Sequence, residues 1–301
     1  ARRLGIPLLI GSAGTAGADA HLEWTFGILR EIAREESLSF RLALIHAEQD
    51  KAYLKRRLGE GRIKPLSPAP QFDEHTIERA ERIVGMMGAE PFLRALDAGA
   101  DVVLAGRSSD TAIFAGLPMQ HGFAPGLAWH AAKILECGAA AVVNRKTPDC
   151  MMAFIRDDHF IVQAPDPELR CTPQSIAAHS LYENADPFLI KECSGTIDLT
   201  ASRYDAVDER AVRVSGSRFI PADIYTVKLE GAEKVGYQSV FIGSIRDPFI
   251  IRQIDDWVTR LEHRIHARVA QVYGSALKTS EYHLKFRIYG IENSICVYMV
   301  G

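Results

Sequence analysis

The first half of the chain alternates short apolar runs with amphipathic stretches. "GIPLLIG" (5–11) is an apolar run with glycine at each end and predicts a buried strand. From Asp19 to Glu36, Leu22, Phe26, Leu29 and Ala33 recur every three to four residues, the spacing of one helix face. "FRLALIHAE" (40–48) predicts a second strand, and the proline-rich "KPLSPAPQFDEH" a loop. "DEHTIERAERIVGMM" predicts a helix capped by Asp73, and "PFLRALDAG" one opened by Pro91 and ended by Gly99. "DVVLAG" (101–106) has the β-branched character of a buried third strand. "LAWHAAKILECG" (127–138) reads as a helix closed by Gly138, and "AAAVV" as a candidate fourth strand.

Alternating strands and helices imply parallel strands with crossover helices. The second half has a different texture. "CMMAFIRDDHFIVQAP" predicts a hairpin about Asp157 and Asp158, and "TPQSIAAHSLYENA" a short helix with Thr172 as cap and Pro173 next. "AVRVSG", "IYTVKLEG", "YQSVFIG" and "YHLKFRIYG" are strand candidates. A long amphipathic helix over 248–273 is capped by Asp247, ended by Gly274 and striped by Ile251, Ile254, Val258, Leu261, Ile265, Val269 and Val272. The expected fold class is therefore α/β, with a mostly parallel sheet over 1–145, followed by a smaller α+β part over 146–301.

Composition narrows the function classes. The chain has 301 residues, 47% hydrophobic and 24% charged, as in ordinary globular proteins. The formal net charge is −3 without a basic block, which argues against nucleic acid as a partner. No apolar run reaches the roughly 18–20 residues of a membrane span, and the apolar part of "ARRLGIPLLIG" is too short for a signal peptide. The cytoplasm is the expected compartment. Ala1 stands where an initiator Met would, which suggests a partial chain. Five cysteines without a CxxC pair favour neither a disulfide framework nor structural zinc.

In open α/β sheets ligands sit at the carboxyl ends of the strands. Three loops fall there. Gly11, Ser12, Gly14, Thr15 and Gly17 form the first, running into a helix with Asp19 and His21 in its first turn. Glycine permits positive φ and close approach, and such a bend can offer N–H groups to an anion. Its GxxGxxG spacing matches neither the dinucleotide nor the Walker pattern, and a tight connection without a ligand is the alternative. "GRSSD" supplies Gly106, Arg107, Ser108, Ser109 and Asp110, where Arg107 could fork onto a carboxylate or phosphate. "HAEQDK" supplies His46, Glu48, Asp50 and Lys51.

Further along, His130, Lys133 and Cys137 share one side of a helix, so Cys137 could be a nucleophile with a lowered pKa or a packed small residue. His179 and Glu183 are one turn apart, and Lys228 and Glu230 share one face of a strand. The His179–Glu183 pair could ligate a metal or do acid–base work, but two ligands alone are not a site and no HExxH occurs, so no metal is assigned and the cofactor stays open.

At "GADVVLAGRSSDTAIFAGL", "WHAAKILECGA" and "FRIYG" the chain resembles the acyclic terpene utilisation AtuA family. The family's strand followed by Gly-Arg-x-x-Asp stands at Gly106, Arg107 and Asp110. Its helix with an early histidine and a Glu-Cys-Gly end stands at His130, Glu136, Cys137 and Gly138. The resemblance runs from about Gly5 to Gly290, and departs at the tail "IENSICVYMVG". It implies catabolism of branched acyclic terpenoids or related acids, as coenzyme A thioesters.

The leading expectation is an enzyme of hydratase or lyase type acting on a small carboxylate or acyl-CoA. The glycine loop and Arg107 would hold the anionic group, and His130, His21 or Glu48 would move the proton, with Cys137 a further catalytic candidate. The alternative is a non-catalytic or regulatory subunit that binds a nucleotide or phosphorylated metabolite. A homo-oligomer or a partner subunit could complete the site.

Overall fold

The structure is a computed structural model. It describes residues 1–66, 68, 71–143, 145 and 150–290, and the backbone of 295–300. The domain boundary expected near residue 146, and residues 291–294 and 301 of the tail, lie outside the described residues, as does the side chain of Cys296. The chain forms two compact units, Ala1–Glu233 and Lys234–Gly301.

The first unit opens as the apolar periodicity predicts. β1 (Leu8–Ile10), α1 (Asp19–Glu35) and β2 (Leu42–Ile45) are followed by α2 (Lys51–Gly59) and α3 (Glu74–Arg79). Then come β3 (Ala80–Met86), α4 (Glu90–Asp97) and β4 (Val102–Ala105). β1, β4 and β2 form a parallel sheet in that order. Every residue of β4 is buried, as expected for a central strand covered on both faces. Successive side chains alternate across it. Leu104 packs with Leu22 and Phe26 of α1, while Val103 and Ala105 pack with Phe92 of α4.

Two expectations in this region are corrected. The helix beginning at Asp73 stops at Arg79, although Asp73 and Thr76 do form a capping box. From Ala80 the chain is extended, because Ala80–Met86 pairs antiparallel with a strand contributed by residues 228–233. "AAAVV" is not a strand. Gly138–Ala141 form a 3₁₀ turn, and Val143 makes only an isolated bridge to Arg170.

After α5 (Ala112–Gln120) comes α6 (Pro125–Glu136), with Gly126–Ala132 and Ile134 buried, a helix apolar almost all round. β5 (Met152–Ile155) and β6 (His159–Gln163) form the expected hairpin, and α7 (Pro173–His179) starts at its Thr172 cap. β7 (Leu189–Glu192), β8 (Gly195–Asp198), β9 (Arg203–Ala206), β10 (Val212–Ser215), β11 (Arg218–Pro221) and β12 (Lys228–Glu233) complete the unit. One antiparallel sheet has the order β5-β6-β10-β9 and another the order β11-β8-β7. Both pack on α6: Leu127, Ala131 and Ile134 join Phe160 and Val212, while Trp129 and Ala132 join Ile190 and Ile197.

In the second unit, β13 (Val240–Ile245), α8 (Pro248–Arg252), α9 (Ile254–Tyr273), β14 (Lys285–Tyr289) and β15 (Ile295–Val300) make an antiparallel sheet of order β13-β15-β14 with two helices. The single helix expected over 248–273 is interrupted at Gln253. Its start at Asp247 and its end at Gly274 are as expected, Asp247 accepting from the Phe249 and Ile250 N–H groups. Among the described residues no helix is long and apolar enough to cross a membrane.

Candidate functional site

The carboxyl ends of β1, β4 and β2 bring the three loops together. Ala13 N–H donates to the carbonyls of Ala105 and Gly106, and Gly106 N–H donates to Ile45 O. Gly17 has φ +71°, and a Cβ there would lie 2.2 Å from Gly106 O. Gly14, at φ +56°, leaves the room that the His21 ring occupies. The glycines thus let two loops and a side chain close on one another, and they do not leave a row of bare amides. The N–H groups of Ala13, Thr15, Ala16 and Gly17 all bind carbonyls within the chain.

The anion at the start of α1 is the protein's own. Asp19 N–H donates to Glu48 Oε2 at 2.9 Å, a carboxylate at the positive end of the helix. Glu48 also pairs with Arg82 at 2.7 Å. Burial works against its charge, but Arg82 and the Asp19 amide prevail and hold its carboxyl below the usual range. Glu48 is therefore an ionised helix anchor and poorly suited to be a general base. Asp19 is the first helical residue, not the cap, and its carboxylate lies 2.9 Å from His46 Nδ1.

β3 crosses this rim. It receives Gln49 N–H at Ile83 O, and beyond its end Met87 exchanges backbone bonds with Arg107 and Ser109. Its other edge holds β12, which delivers Glu230 to the 106–111 loop. Arg107 donates to Glu230 Oε2 at 2.9 Å and to Ser12 Oγ at 2.7 Å, and lies 3.2 Å from Asp110 Oδ1. Ser12 Oγ in turn donates to Asp110 at 3.3 Å. Burial opposes the Arg107 charge, and Glu230 and Asp110 outweigh it. Ser108 is 0% exposed, and its Oγ faces the bare Cα of Gly11, 2.6 Å from where a Cβ would be. Neither Ser108 Oγ nor His21 Nδ1 has a hydrogen-bond partner among the described residues.

Residues 9–144 match the family model described as Acyclic terpene utilisation family protein AtuA. The matched segment contains Gly11–Gly17, His46, Glu48 and Gly106–Asp110, and ends before Glu230. No curated protein and no solved structure matches the chain.

The α6 residues that the sequence singled out are engaged elsewhere. His130 does not face the rim loops. It is 2% exposed, its Nδ1 lies 2.6 Å from Ser217 Oγ, and its ring meets the edges of Phe160 and Tyr204. Burial, helped by His179, pushes its pKa down to about 3, so the ring is the neutral imidazole and not the imidazolium at ordinary pH. Cys137 caps the helix, and His179 Nε2 contacts its carbonyl at 3.2 Å rather than its sulfur. Burial pushes the thiol up, with Glu136, Glu183 and Asp110 adding to it, which is the opposite of what a nucleophile needs. The motif residue that reaches the rim loop is Glu136, which accepts from Thr111 Oγ1.

His130 provides a stability test. The folded state binds its proton only near pH 3, whereas the ordinary value is 6.5. The unfolded chain therefore holds more protons in between, and stability present above about pH 6.5 is lost as pH falls through that window. The thermal midpoint of the wild type should fall more steeply over this range than that of His130→Asn. Parallel profiles would remove His130 as the source.

Proposed function

We propose that the chain is an AtuA-type protein of acyclic terpene utilisation that binds a small carboxylate, free or as an acyl-CoA thioester, at the rim of the parallel sheet. The observation that carries this reading is the junction of Arg107 with Ser12, Asp110 and Glu230, beside the unpaired Ser108 hydroxyl at the Gly11 bend. A guanidinium held by two carboxylates is a cation whose partners an incoming carboxylate can replace like for like. Hydratase or lyase chemistry needs a proton carrier beside such an anchor. His46 is the better fitted histidine, since Asp19 orients its Nδ1 and leaves Nε2 for proton transfer. His21 lies in the first turn of α1 and is among the groups that lower the Glu48 carboxyl.

The nucleotide-binding alternative requires free backbone donors at the start of α1, where Glu48 and the loop's own carbonyls already take several. Nucleotides are therefore the control ligands. Binding isotherms of wild type and Arg107→Ala against branched free acids, their CoA thioesters and nucleotides test the proposal. An acid or thioester should bind the wild type and lose about 10- to 100-fold in the variant, the worth of one charge-assisted contact. Equal isotherms in a variant that keeps its helical circular dichroism would remove Arg107 from the role.

A further inference from the structure

β2 is an open edge of the parallel sheet, since the order is β1-β4-β2 and β4 is its strand partner among the described residues. Val102 N–H donates to Arg41 O and Gly106 N–H to Ile45 O, so the odd residues turn their backbone groups to β4. By the alternation of a strand, Leu42 and Leu44 turn theirs to the free edge. Leu42–Ile45 has neither a proline nor a charge, the usual protections of such an edge. The opposite edge is protected. Leu8 N–H faces β4 at Asp101 O, so Pro7 stands at an outward position with no N–H to give. Between β2 and α1 runs a groove of about 880 Å³, floored by Phe26, Leu29, Leu42 and Leu44. Gly27, Arg30 and Arg34 line its helical side.

Gly27 sits in the middle of α1, where glycine weakens a helix relative to alanine. A Cβ there would meet nothing within 4 Å, so no contact among the described residues calls for the missing side chain. A second backbone passing close by would call for it. Glu23, Gly27, Arg30 and Arg34 stand at i, i+4, i+7 and i+11, one stripe of the helix. The stripe is its own antiparallel complement. A two-fold axis midway between Gly27 and Arg30 sets Glu23 against the partner's Arg34 and Gly27 against the partner's Arg30. β2 behaves alike: an axis at Ala43 sets Leu42 against the partner's Leu44, with the free backbone groups of both turned across the gap.

We propose that this face is the interface of a homodimer, in which the β2 strands of two copies pair antiparallel and the two α1 helices cross at Gly27. The two parallel sheets then join edge to edge through β2. A second copy is the occupant that the face fits, because a two-fold contact needs a patch that matches its own image. The strand edge, the glycine and the opposite charges at the two ends of the stripe each meet that condition. This goes beyond the ligand reading and does not depend on it.

Analytical ultracentrifugation of the whole chain over a concentration series tests the interface. The wild type is expected to be a dimer. Gly27→Arg fills the crossing point and should raise the dissociation constant about 100-fold. Arginine is a better helix former than glycine and the space around residue 27 is open, so this variant should keep its helical circular dichroism. Glu23→Arg and Arg34→Glu each set like charges together and should weaken the dimer about 10-fold. The double variant restores opposite charges and should recover most of that loss. A monomer at every concentration would overturn the inference, whatever else the groove then takes up. So would a dimer that Gly27→Arg leaves intact, or a loss in the charge variants that the double variant does not recover.

Discussion

Gly17→Ala is expected to cost about 3–4 kcal/mol, in the tail of single-substitution effects, and to lower the thermal midpoint by roughly 10 °C. Two terms add. At φ +71° an alanine pays about 1 kcal/mol for left-handed backbone. Its Cβ would also lie 2.2 Å from Gly106 O and 2.4 Å from Gly106 C. Neither atom can swing away, because Gly106 is fixed through its N–H to Ile45 O and through its carbonyl to Ala13 N–H. Gly61→Ala separates the terms, since Gly61 has φ +67° and open space around it. Denaturant melts should show the small conformational cost for Gly61→Ala and the large one for Gly17→Ala. Equal costs would mean that the two loops do not close on one another as described.

Gly126→Ala should reverse the usual sign of a helix substitution. Alanine is favoured over glycine by about 1 kcal/mol inside a helix, so propensity alone predicts stabilisation. Gly126 is buried in the first turn of α6, however, and a Cβ there would lie 2.4 Å from Ser217 O and 2.6 Å from Arg218 Cα. Those are backbone atoms where the chain enters β11, which is held by its pairing with β8, and forcing them away costs about 1–3 kcal/mol or more. The same displacement pulls Ser217 from His130 Nδ1, a 2.6 Å contact one turn along the helix. A net loss of about 2 kcal/mol is expected by chemical denaturation. A variant as stable as the wild type would show that α6 and the β10–β11 connection are less tightly joined.

The features that local chemistry controls were legible in the sequence. Periodicity found β1, β2, β4, α1 and α6, and turn and cap residues found Asp73, Thr172 and Asp247. What escaped was set by distant partners. β3 is read as helix until β12 pairs with it. β7, β8, β9 and β11 have four residues each, with charged residues such as Lys191, Asp198, Asp205 and Arg218 among them, so they lack the continuous apolar run that marks β2 and β4. The site divides in the same way. The rim loops were visible as small-residue bends after apolar runs. Glu230 and Glu192 were not, because they come from 123 and 83 residues beyond their partners Arg107 and Ser109. Lys228 and Glu230 had shown themselves only as a strand pair sharing one face, with nothing to tie them to Arg107. At the end of α6 the sequence pointed to Cys137, whereas the contact to the loop is made by Glu136, one residue earlier.

The pairing of β3 with β12 also bears on how the chain is made. During synthesis, residues 80–86 leave the ribosome about 140 residues ahead of their partner, a delay of roughly 7–30 s at ordinary elongation rates. For that interval one margin of an Ile- and Val-bearing strand lacks its neighbour, the situation in which nascent chains stick to one another. Glu48 and Gln49 cover the other margin from the start, which halves the exposed edge while translation catches up.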